Sequence, residues 1–388
     1  MWEARQLRAA ANKYKVATQM GNQGYSNEGT RQCAEIVWTG DIGARERSPR
    51  LDAIARSWPQ GLTEIPHRKK PPATLDWDLW LGSAEKRPFT AGGPNEPDRW
   101  GGFFYQPFNW RGFYDFGCGA IGDMACHILG APNMALHLGQ TQARRRRVHQ
   151  EGRHQPLHVP ARSPSSATTS RPYGNMPALK VFWYDGMKQN PKIAGVPEGE
   201  WLGDPPFIIA PPARWTRPRP PGLAARARPR HIAPPAMTST PPAASSTTKT
   251  SSAMKNGRQP QLRFPTPNGS VFVGDKGILT TGTYGEVTRL LPVEKMKRLP
   301  ACPTPMLTRS PGHMRDFIRA CKGGDPACSN FDVAAPFVEW MLLGVIALRH
   351  EGKLEYDPEK MRITNNVEAN KLLKPVFRKG WEFHTVKS

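Results

Sequence analysis

The chain has 388 residues, room for two domains or one large one, and a formal net charge of +22. The charge is uneven: residues 44–57 carry +2, 143–172 carry +6 and 211–264 carry +10, so the rest is close to balanced and the basicity belongs to three tracts. The longest apolar run, "PFVEWMLLGVIALRH", is too short to span a bilayer, and the opening "MWEARQLRAAANKYK" has charges where a secretion signal needs an apolar core.

In chain order, residues 3–12 place Ala and Leu at helical spacing, and "KVAT" reads as a short strand ending at "QMGNQG". Ser26 can then cap a helix through "NEGTRQCAEIVWTG" that stops at Gly40 or Gly43. Helix, strand, glycine turn and helix in that order predict the last unit of a doubly wound domain, whose parallel partner strands lie elsewhere. An aromatic-dense stretch follows: "LDWDLWLG", "RPF" and "GGFFYQPFNWRGFYDFG". It can build a pocket wall or a domain core. The helix "DMACHILGAPNMAL" comes next, then a strand in "ALKVFWYDG" and strands with a hairpin in "GSVFVGDKGILTTGTYGEV". Two helices close the pattern, "SPGHMRDFIRACKG" with Ser310 as cap and "NFDVAAPFVEWMLLGVIALRHEG". An α+β domain with an antiparallel sheet accounts for this order.

The three basic tracts interrupt it. Rich in Arg, Pro, Ser, Thr and Ala, they bury too little apolar surface to offset the entropy of ordering. They read as unstructured loops, as Arg clusters that bind nucleic acid, or as out-of-frame translation of GC-rich DNA. Ordered sequence stops and resumes abruptly at each boundary, which favours the last reading over a nucleic-acid partner. Six cysteines (Cys33, Cys118, Cys126, Cys302, Cys321 and Cys328) form no C-x-x-C pair and read as buried or free thiols. His149, His154 and His158 lie inside a basic tract and are assigned no metal.

The stretch "GCGAIGDMACH", Gly117 to His127, sets Asp123 and His127 four residues apart, on one face of a helix. A histidine there can take a proton from a hydroxyl while the carboxylate orients it or stabilises its cation. Spacing alone favours a plainer reading, in which Asp123 caps the helix and His127 hydrogen-bonds inside a core. Arg111 in "FNWRGF" can anchor a polar substrate or stack on Trp110, or simply lie along an aromatic wall. "GNQG", Gly21 to Gly24, sits where ligands meet α/β sheets but lacks the G-x-G-x-x-G fingerprint. Gly274, Gly277 and Gly282 read as turn residues.

Several long segments in one order resemble the Gfo/Idh/MocA oxidoreductases, bacterial branch with a long C-terminal domain: "YKVATQMGNQGYSNEGTRQCAEIVWTGDIG", "LDWDLWLG", "YQPFNWRGFYDFGCGAIGDMACHILGAPNMAL" and "GNMPALKVFWYDG". The resemblance spans 2–43, 58–142, 173–210 and 265–388. It implies the end of a Rossmann domain in 1–43 and, in 58–388, an α/β substrate and oligomerisation domain with a large open, mainly antiparallel sheet. The activity implied is NAD- or NADP-dependent oxidation or reduction of a sugar, cyclitol or related polyol. Some relatives instead recycle the cofactor to cleave a glycoside. By the resemblance, G-x-x-x-D-x-x-x-H maps onto Gly119, Asp123 and His127, with His127 transferring the proton and Asp123 helping it or binding a substrate hydroxyl. Trp110, Arg111 and Tyr105 would line the substrate; Asn22, Gln23, Trp110 and Arg111 would approach the cofactor.

The resemblance also carries departures. The family's dinucleotide fingerprint and E-K-P lysine motif have no counterpart here; "EKRP" at Glu85 to Pro88 follows no Rossmann strand, and Tyr25 stands where a His is expected. The family has sheet strands where 44–57 and 143–172 stand, so those tracts are expected to cost the sheet its edge and part of its core. The chain therefore reads as a truncated, locally frameshifted relative with little dehydrogenase activity of its own. A homo-oligomer through the sheet, no membrane partner and a cytoplasmic location are expected, with full-length relatives exported to the periplasm.

Overall fold

Leu51 and Ala53 point to one face of a strand at the middle of the sheet and Ile54 to the other, and all three are fully buried. They belong to a computed structural model that describes residues 1–43, 50–55, 60–61, 69–90, 104–105, 108–139, 146–150, 163–170, 179–186, 192–197, 200–204, 268–298 and 306–382. All of these lie in the unit formed by Met1–Phe207 and Phe264–Ser388. The tract 211–264 is outside the described residues.

The first half of the chain contributes α1 (Trp2–Tyr14), a 3-10 turn (Gln23–Ser26), α2 (Glu28–Thr39), β1 (Arg50–Ile54), α3 (Trp77–Leu81), a second 3-10 turn (Asn109–Gly112), α4 (Gly119–Ile128) and α5 (Gly130–Leu136). Then come β2 (Arg146–Gln150), β3 (Ser163–Ser170), β4 (Leu179–Asp185), β5 (Gly269–Val273), β6 (Ile278–Thr281), β7 (Thr288–Leu291) and α6 (Glu294–Arg298). The chain closes with α7 (His313–Cys321), α8 (Phe331–Ala347), β8 (Gly352–Asp357), β9 (Arg362–Ile363) and α9 (Val367–Lys371). The described strands form one sheet in the order β7-β6-β5-β1-β4-β3-β2-β8-β9. Only β1 and β4 run parallel; every other neighbouring pair is antiparallel. The fold is thus α+β with a mixed, mainly antiparallel sheet. Among the described residues no helix is long and apolar enough to cross a membrane.

The main core joins this sheet to α2, α4, α5 and α8 through residues such as Ile36, Ile128, Leu136 and Phe337. A second cluster binds α8 to β8, β9 and α9 around the fully buried Tyr356, and an aromatic cluster of Phe104, Tyr105 and Phe113 forms a satellite with Trp77, Trp80 and Phe116.

Several expectations are corrected. The tracts 44–57 and 143–172 were expected to remove strands, yet β1, β2 and β3 lie within them. The physical reason in β1 is "RLDAI", whose apolar side chains fill both faces while buried Asp52 is neutralised by Arg50, with 2.7 and 2.8 Å hydrogen bonds. β3 is paired on both sides, with β2 and with β4, and that pairing rather than composition holds its backbone extended. "KVAT" forms no strand, because a strand is a pairing and no described strand lies beside it. Ser26 does not cap α2, which starts from Asn27, and the cap position of α7 is Gly312, while Ser310 accepts from the Gly312 N–H at 3.2 Å. The stop at Gly40 is met: that residue takes φ 81°, the left-handed geometry that ends a helix.

Because β1 is a filled, central strand, Leu51→Ala should lower unfolding free energy by about 2–5 kcal/mol in urea titration. A loss below about 1 kcal/mol would show that this strand is not part of the core.

Candidate functional site

Helix α4 begins where Cys118 turns left-handed, at φ 57°. Gly122 then lets the helix close over the preceding loop, since a Cβ there would meet the Gly117 carbonyl oxygen at 2.3 Å. Ala120, Ile121, Met124, Ala125 and Ile128 face the core, which turns Asp123 and His127 to the less buried side. The first turn is tied down from outside: Gln60 Oε1 accepts from the Ala120 N–H at 2.9 Å, and Gln60 Nε2 donates to buried Asp185 at 2.9 Å.

Asp123 neither caps the helix nor hydrogen-bonds to His127. Its Oδ2 accepts from Arg111 Nε at 2.8 Å. Arg111 comes from the second 3-10 turn, and its guanidinium lies 4.3 Å from the Phe108 ring centre and 4.4 Å from that of Trp110. Arg111 thus stacks on Trp110 and lies along an aromatic wall while it holds Asp123. Asp123 acts on His127 through charge alone: it favours the protonated ring, but burial outweighs it and holds the imidazole below its ordinary pKa. His127 Nδ1 is enclosed and has no hydrogen-bond partner among the described residues.

The residue that sequence reasoning missed is Tyr284, whose ring meets His127 edge-on with centroids 5.0 Å apart. The only signal was an aromatic side chain between the glycines of "GTYG", which reads as a turn. Asp204 fixes this hairpin tip by accepting from Thr283 N and Thr283 Oγ1, both at 2.6 Å. The Tyr284 carbonyl accepts from Asn27 Nδ2 at 2.9 Å. The approach requires glycine at position 24, where a Cβ would lie 2.5 Å from that same carbonyl oxygen.

The remaining expected site residues are dispersed. Asn22 is 1% exposed; its Nδ2 donates to the Cys126 carbonyl at 3.4 Å and its Oδ1 accepts from Ser329 Oγ. It braces α4 from behind. Gln23 is exposed in the first 3-10 turn. Tyr105, 2% exposed, packs among Trp77, Trp80, Phe104 and Phe113, and its carbonyl accepts from Trp110 N. Trp110 is half-buried beside Arg111. The structure thus groups Arg111, Trp110, Asp123, His127 and Tyr284, with Asn22 as a support.

A nicotinamide dinucleotide needs N–H groups at a helix start to receive its pyrophosphate. The two helix starts beside the site do not fit that part of it. At the start of α2, Asn27 is committed to Tyr284 and Glu28 brings negative charge; at the start of α4, Gln60 already occupies the Ala120 N–H. Among the described residues, no group of three or more His, Cys, Asp or Glu could hold a metal ion. No protein-family model matches the sequence, and no curated protein is significantly similar to it.

Burial lowers the pKa of both His127 and His313 from the ordinary value of 6.5. The folded chain therefore binds these protons less readily than the unfolded chain. Their contribution is fully present above pH 6.5 and is lost as pH falls below it. Melting temperature should fall between pH 7.5 and 5, and His127→Gln should reduce that slope; an unchanged slope would show that His127 is not held neutral by the fold.

Proposed function

We propose that this chain carries the substrate side of an NAD- or NADP-dependent oxidoreductase acting on a hydroxyl group of a sugar, cyclitol or related polyol, with His127 as the proton-transfer residue. The observation that carries the reading is a half-buried imidazole kept neutral by its surroundings, one helical turn from a carboxylate that favours its protonated form. The cofactor is implied by the resemblance, and the starts of α2 and α4 do not cradle its pyrophosphate. What this chain's own residues supply is handling of the hydroxyl proton.

A neutral His127 can accept a substrate hydroxyl proton at Nε2. The positive charge that forms there is opposed by burial and supported by Asp123. Arg111 donates to Asp123 through the 2.8 Å hydrogen bond, which fixes the position of the carboxylate one helical turn from the ring. Tyr284 covers one edge of the ring and limits how the imidazole can turn.

The test is a titration of protein carrying 13C-labelled histidine with a panel of sugars and cyclitols, the His127 resonance being assigned from the His127→Asn variant. A saturable shift of that resonance is expected for at least one neutral polyol. No shift across the panel would overturn the reading. Where NAD- or NADP-dependent turnover is measurable, His127→Asn should reduce kcat by about 10²–10⁴-fold while leaving polyol binding within about threefold.

A further inference from the structure

The Arg111–Asp123 pair offers more than a support for His127. The guanidinium cannot swing, because aromatic rings lie against it at 4.3 and 4.4 Å and its Nε is bound to Asp123. Its backbone is fixed as well: Gly117 passes so close that a Cβ there would lie 2.4 Å from the Arg111 Cα. Yet the side chains of Arg111 and Asp123 remain 25% and 28% exposed, and the bond between them uses one nitrogen and one oxygen. Nη1 and Nη2 of Arg111 and Oδ1 of Asp123 have no partner among the described residues.

The pair thus presents fixed N–H donors beside a fixed anionic acceptor. A hydroxyl group both donates and accepts, so two neighbouring hydroxyls satisfy such a surface completely. A carboxylate only accepts: it would fill the donors but set a like charge against Oδ1. Charge balance points the same way. The Arg111 cation is cancelled by Asp123, and burial keeps His127 neutral, so no uncompensated positive charge among these residues attracts an anion.

Resting on the polyol reading above, the geometry points to Arg111 and Asp123 as a charge-neutral specificity element that takes an uncharged vicinal diol and rejects the corresponding sugar acid. Asp123 is the discriminating member. Arg111 alone, with its stacked planar fork, would suit a carboxylate.

The experiment compares sorbitol with gluconate, which differ by a terminal carboxylate, by following the His127 resonance of the labelled full chain. Wild-type protein should bind sorbitol at least about tenfold more tightly than gluconate, and Asp123→Asn should narrow or invert that ratio by strengthening gluconate about tenfold. Equal or tighter binding of gluconate by the wild type would overturn the proposal while leaving the polyol site standing. That comparison needs no variant, so it decides even if Asp123→Asn fails to fold. If neither compound, nor any other polyol, moves the resonance, the parent reading fails and this one with it. Arg111→Met should weaken sorbitol binding with circular dichroism unchanged; undiminished binding by that folded variant would also overturn the proposal.

Discussion

Five residues, Arg50–Ile54, hold the two parts of the sheet together. On one side of them lie β5, β6 and β7; on the other lie β4, β3, β2, β8 and β9. The hairpin that brings Tyr284 to His127 belongs to the first group, and α4 packs on strands of both. The placement of the site therefore depends on one strand being filled on both faces. Its buried Asp52 would be costly alone; Arg50 neutralises it and also donates to the Tyr184 hydroxyl at 2.8 Å, 134 residues away in sequence. This joint is made late in the chain's own order, since its partners on both sides follow it by a long stretch. Such non-local pairing is the part of a fold that local propensity supports least.

A second constraint is the contact between the hairpin tip and the N-terminal turn. Gly24 lies against the Tyr284 carbonyl, Asn27 donates to it, and Asn22 reaches α4 on one side and Ser329 on the other. Around α2, Glu35 is wholly buried but satisfied by Arg309 and by the N–H groups of Met306 and Leu307, which hold its carboxyl below the usual range against the opposing effect of burial. Polar groups here fix positions; the apolar clusters supply most of the cohesion.

Local patterns in the sequence showed the elements whose structure is decided locally. The helix ending at Gly40, the strands within "ALKVFWYDG" and "GSVFVGDKGILTT", the long apolar helix near the C-terminus and the shared helical face of Asp123 and His127 all follow from periodicity and turn residues. What escaped depends on partners distant in sequence. Composition argued against β1 and β3, but pairing on both edges decided in their favour. "KVAT" had the composition of a strand and lacked a neighbour. Helical spacing placed Asp123 beside His127, yet Arg111 captured its carboxylate from another loop. Tyr284 was invisible for the same reason: nothing in "GTYG" says which helix the hairpin will meet.

The stacked Arg111 also shifts where a thermodynamic cost is met. An arginine free in solvent has roughly 2 kcal/mol of rotamer entropy to lose when it grips a ligand. Here Phe108, Trp110 and Asp123 have already removed most of that freedom during folding. Binding to such a preorganised group draws little on side-chain entropy. The penalty sits instead in the stability of the folded chain, where a loop and a helix are obliged to hold one cation still.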